Sequence, residues 1–141
     1  MKLGWILLAE GLGQDAKGAV TAIGLNQNIL ITSTLPAQAK RAILAHFVED
    51  GSTVKTGDQL MFRVSFVSPS GKVISAMNSP AILAPMPWSD LPVSIDLPAE
   101  MILSCSEYGA YEINVEVELS TGETVGGQEK FYVREPPSSL A

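Results

Sequence analysis

From Tyr111 to Ser120 apolar and polar residues alternate without a break. Tyr111, Ile113, Val115, Val117 and Leu119 fall on one side, and Glu112, Asn114, Glu116, Glu118 and Ser120 on the other. A sustained period of two predicts a β-strand with one dry and one wet face. Thr121-Gly122-Glu123 supplies a turn, and the chain returns through Gly126-Gly127 to Phe131, Tyr132 and Val133, the second half of a hairpin. Adjacent glycines inside a strand predict a bulge or a close backbone approach.

The same period marks residues 59–67, with Leu60, Phe62, Val64 and Phe66 inward and Gln59, Arg63 and Ser65 outward. Ser68-Pro69-Ser70-Gly71 turns that strand into an antiparallel partner over residues 72–77. Residues 3–12 are apolar on both sides, the pattern of a strand covered on both faces, and Trp5 within it reads as core. Residues 19–25 form its partner strand. Asn26-Gln27-Asn28 is turn-forming, and residues 29–32 read as a short edge strand without a guarding charge. Residues 93–97 alternate until Pro98, which is expected to stop them. Residues 78–92 hold Pro80, Pro85, Pro87 and Pro92 and read as a long connection between sheets.

The segment Ala37–Val48 reads two ways. Ala39, Ile43 and Phe47 recur at helical spacing behind Pro36, while Ile43, Ala45 and Phe47 also alternate. The strand is favoured because it supplies a partner for the next one. Together these elements predict an all-β fold, an antiparallel Greek-key sandwich of seven to nine strands. One domain covers residues 1–135, followed by a short polar tail over 136–141.

Composition adjusts this picture in three ways. A chain of 141 residues is long enough for one core without disulfide or metal support. Apolar residues make up 46% and charged residues only 17%, so part of the surface is expected to meet another chain. A net charge of −6 with scattered basic residues argues against nucleic acid and against an anionic membrane surface as partners. The single cysteine, Cys105, excludes an intrachain disulfide and fits a reducing compartment. The apolar run Ile6-Leu7-Leu8-Ala9 stops at Glu10, too short for a signal-peptide core or a membrane span. A cytoplasmic protein is the expectation.

Candidate chemistry is sparse. His46 is the only histidine and sits among Leu44, Ala45, Phe47 and Val48, where it reads as a strand residue facing a neighbour rather than a general base. Cys105 has no basic neighbour in sequence and reads as an inert thiol. Glu112, Glu116 and Glu118 share one wet strand face and read as a solvated stripe. Gly126-Gly127 precedes no helix, so it is no phosphate loop. The expectation is a protein that is not an enzyme and carries no cofactor.

Binding candidates remain. The stretch from Met86 to Pro92 is a proline-stiffened loop that presents Met86 and Trp88. Trp88 reads either as a plug over the open end of the sandwich or as an anchor for a partner. Ile29 and Ile31 on the unguarded edge form a second candidate interface for a protein partner or for self-association. A ligand-binding sandwich is the alternative: calcium through Asp50, Asp58 and Asp90, or a small molecule or glycan through Trp88.

Glu107-Tyr108-Gly109-Ala110-Tyr111-Glu112-Ile113 resembles the acidic-x-Gly-x-Tyr-x-Cys signature that opens the penultimate strand of immunoglobulin-like domains. The resemblance implies that Tyr111 forms a tyrosine corner and Gly109 its turn. Ile113 stands where that family has a cysteine, which implies a sandwich without the inter-sheet disulfide. As a whole the chain resembles a family of small bacterial proteins of unknown function. That likeness rests on Ile6-Leu7-Leu8-Ala9-Glu10 leading to Ala22-Ile23-Gly24, on the Ser68-Pro69-Ser70-Gly71 hairpin, and on Pro98 with Tyr108-Gly109-Ala110-Tyr111. It implies a fold and brings no catalytic residues.

Overall fold

The alternating segment forms a strand, β8 (Gly109–Glu118), paired antiparallel to β9 (Thr124–Arg134) from Gly109↔Val133 to Glu118↔Thr124. The computed structural model describes residues 1–17, 19–49, 57–83 and 93–138, which contain nine strands. The others are β1 (Lys2–Gln14), β2 (Val20–Leu25), β3 (Ile29–Ile31), β4 (Ala37–Val48), β5 (Gln59–Val67), β6 (Val73–Ile82) and β7 (Ser94–Cys105). They make two sheets, β2-β1-β4-β7 and β3-β9-β8-β5-β6, packed face to face as a β-sandwich. Every pairing is antiparallel except β3 against β9, which is parallel.

The core is built from the inward positions of both sheets. Ile43, Ala45 and Phe47 of β4 meet Leu60, Phe62, Val64 and Phe66 of β5, with Tyr111, Ile113, Val115 and Val117 of β8. Phe66 lies flat on Tyr111, ring centroids 5.0 Å apart, and meets Phe131 edge-on at 5.9 Å. β1 packs over β9, and β7 over β5 and β6. The edge strands β2 and β3 therefore share one side of the sandwich, and β6 and β7 the other.

Ala37–Val48 is a strand throughout, paired along its whole length with β7. Its outward Ala42 and Leu44 are buried as well as its inward residues, so both faces are covered and the helical spacing of Ala39, Ile43 and Phe47 has no separate face to serve. Two expectations about proline fail. Residues 78–82 belong to β6, and β7 continues through Pro98 to Cys105. Both strands are sheet edges, where an N–H facing outward has no strand to bond and proline costs little. Beyond Pro98 the inward residues Ala99, Met101, Leu103 and Cys105 are all buried.

Gly126 marks a close approach and not a bulge, since the β8–β9 register runs through it unbroken. A Cβ there would lie 2.1 Å from the Val115 carbonyl oxygen. Trp5 departs from its expected place in the core. The β1–β4 register shifts between Leu3 and Trp5, and the indole emerges on the outer face, 40% exposed.

Candidate functional site

Three of the residues singled out from the sequence prove structural in their surroundings. The Tyr111 ring is fully buried. Its hydroxyl donates to the Glu107 carbonyl at 2.7 Å and accepts from the Glu107 N–H at 3.1 Å, tying the β7–β8 corner together. Burial pushes the phenol above its ordinary pKa, partly offset by the bond to the Glu107 backbone. Gly109 holds φ of 139°, and a Cβ there would meet Pro69 Cγ at 2.8 Å, so the corner seats directly on the β5–β6 turn. Cys105 is buried, and loss of hydration pushes its thiol up to about 11, with Arg41 pulling weakly the other way. A thiol held neutral is a poor nucleophile.

A cluster that sequence reading did not anticipate lies across the outer face of the four-stranded sheet. His46 Nδ1 sits 2.6 Å from Asp96 Oδ1, and the Trp5 indole stacks on the imidazole with centroids 4.8 Å apart and planes 10° from parallel. Cross-strand register brings them together, through Trp5↔His46 and His46↔Asp96. An imidazole oriented by a carboxylate is half of an acid–base pair. Among the described residues no group of three His, Cys, Asp or Glu side chains is placed to hold a metal ion, and Cys105 is buried away on the inner face. The Asp96 contact and the indole stacking fix the orientation of the imidazole from both directions.

The same side of the sheet continues apolar away from Trp5, through Leu7, Leu44 and Pro98 and then Leu25, Ala9 and Ala42, of which Leu44, Ala9 and Ala42 are buried. It reaches the side of the sandwich where β2 and β3 end their sheets. There Ile23, Leu25, Ile29, Ile31 and Tyr132 are all substantially exposed. Arg134 lies over the Tyr132 ring at 5.3 Å. β3 is held to β9 by Tyr132 N–H to Asn28 O at 2.8 Å and Thr32 N–H to Arg134 O at 3.0 Å. By strand alternation, the N–H and C=O groups of Ile29 and Ile31 then point away from β9, along the open edge. This is the edge anticipated from its lack of charge. Met86 and Trp88, and the acids Asp50 and Asp90, lie outside the described residues.

The outer face of the five-stranded sheet is wet and charge-paired across β5, β8 and β9. Arg63 bonds Glu116 at 3.3 Å and Glu118 at 2.5 Å, and Lys130 bonds Glu112 at 2.7 Å. The carboxylates of β8 are thus tied to cations on both neighbouring strands. The described residues contain no helix long and apolar enough to cross a membrane. No protein-family model matches the chain, and no curated protein matches it significantly.

Proposed function

We propose that this protein is a non-catalytic interaction module that docks to a protein partner, or to a second copy of itself, through the side formed by β2 and β3. One observation carries the reading: five of the nine large apolar side chains exposed among the described residues lie along that one edge, Ile23 and Leu25 turned to the outer face of the four-stranded sheet and Ile29, Ile31 and Tyr132 to that of the five-stranded sheet. Exposed apolar clusters of this kind mark interaction sites. The open backbone of β3 adds the means for a partner strand to pair. Trp5 adds a further exposed apolar ring on the outer face of the adjoining sheet.

The immunoglobulin-like reading of the sandwich is supported by β4 paired with β7, by the β5-β8-β9 run in the other sheet, and by the Tyr111 corner. A bacterial cytoplasmic setting remains part of the proposal, supported by the lone, buried and unreactive Cys105.

Multi-angle light scattering, followed by capture of partners from lysate, tests the module. A defined oligomer, or a specific partner, is expected for the native chain and lost in an Ile29→Asp/Ile31→Asp variant. These side chains point outward, so the variant keeps its fold, checked by circular dichroism. A strict monomer with no retained partner would refute the reading.

A further inference from the structure

The outer face of the five-stranded sheet holds an open hollow of about 680 Å³, lined chiefly by Arg63, Ser65, Asn78, Asn114, Glu116 and Gln128. Two cross-strand rows form its floor. Gln128, Asn114, Ser65 and Ala76 lie side by side in register across β9, β8, β5 and β6, and Gly126, Glu116, Arg63 and Asn78 form the next row. Small side chains at 65 and 76 lower the floor at one end. At the other, Gly126 has no room for a Cβ, so that wall stays open.

The chemistry of the lining selects a ligand. Among the described residues the side chains of Asn78, Asn114 and Gln128 make no hydrogen bond. Each carries an NH2 donor beside a carbonyl acceptor. Arg63 is taken up by Glu116 and Glu118, so no free cation awaits an anion. Among the described residues no trio of acids is placed for a metal ion. The hollow also lacks the buried aromatic or aliphatic anchor on which protein docking relies. What remains beside the Arg63–Glu116 ion pair is a row of paired donors and acceptors, complementary to hydroxyl groups that both donate and accept. Four strands about 4.8 Å apart make the row roughly 14 Å long, longer than one sugar ring.

We infer that this hollow binds a neutral oligosaccharide through Asn78, Asn114 and Gln128. The site lies in the middle of the outer face of the five-stranded sheet, away from the β2–β3 edge, and goes beyond the docking function, so the protein would hold a glycan and a protein at separate places. Hydrogen bonds to exposed amides, without an aromatic stacking platform, make the binding weak and dependent on hydroxyl orientation.

Nuclear magnetic resonance of the 15N-labelled full chain tests it. Neutral tetrasaccharides of glucose (α- and β-linked), mannose, xylose and N-acetylglucosamine are titrated to about 10 mM, enough to saturate a site with a Kd of roughly 1 mM. At least one is expected to shift the side-chain NH2 signals of Asn78, Asn114 and Gln128 saturably. Glycerol at matched hydroxyl concentration should leave them in place. The response should weaken at least tenfold in an Asn114→Ala/Gln128→Ala variant whose remaining spectrum is unchanged, and persist in Ile29→Asp/Ile31→Asp. Unmoved amide signals with all the sugars, or shifts that survive the amide deletions, would overturn the assignment.

Discussion

Tyr111 shows how much one hydroxyl organises. It satisfies both the donor and the acceptor of Glu107, whereas Tyr108 donates a single bond, to the Thr32 carbonyl at 3.0 Å. Tyr111→Phe should cost about 1–3 kcal/mol in urea unfolding, because it leaves two backbone groups of the corner without their partner. Tyr108→Phe should cost less. Cys105 gives a pH test. Its thiol is held neutral up to about 11 against an ordinary 9.0, so the fold favours the protonated form. Its contribution is intact below pH 9 and is lost as pH rises toward 11, at about 1.4 kcal/mol per unit. A Cys105→Ala variant should lack that slope, and the native thiol should resist iodoacetamide at pH 8 until denaturant is added. The corner was legible in the sequence because Gly109 and Tyr111 are local to one turn. The Trp5–His46–Asp96 cluster was not: its members are distant in sequence, and only strand register and a shifted pairing at Trp5 bring them together.

At the level of strands, legibility followed how cleanly one face was wet. β8 and β5 alternate polar and apolar, and their positions were readable to within a residue or two. β4 was ambiguous because Ala42 and Leu44 are apolar on its outer side too. β6 and β7 were cut short because proline normally ends a strand, and nothing local tells an edge from a centre. Those prolines also guard against strand addition. Pro80→Thr should leave native stability within about 0.5 kcal/mol. In mild denaturant it should aggregate faster than the native chain, followed by thioflavin fluorescence; an unchanged rate would remove the guarding role. The amides of the hollow were hidden in plain sight, since Asn114 fell on a face already accounted for as solvated.

The whole molecule is two-sided. The five-stranded sheet pairs its outward charges across β5, β8 and β9, while the four-stranded sheet exposes Trp5 beside His46 and leaves Ile23 and Leu25 exposed at its β2 edge. Docking through the apolar side should persist when sodium chloride is raised to about 0.5 M, as contact between uncharged surfaces is little screened. Loss of the complex in salt would point instead to the charged face.

The parallel pairing of β3 with β9 joins residues roughly a hundred positions apart, Ile29 beside Tyr132 and Ile31 beside Arg134. Closing so long a loop comes late in folding, since the entropy must be spent before the contact rewards it. Until β9 is in place β3 has no strand to lie against, and the docking edge does not exist as a shaped surface. A nascent chain on the ribosome, with its final strand still in the exit tunnel, would then offer nothing at β3 for a partner to grip, and under the proposed function recognition would be reserved for chains that have finished folding.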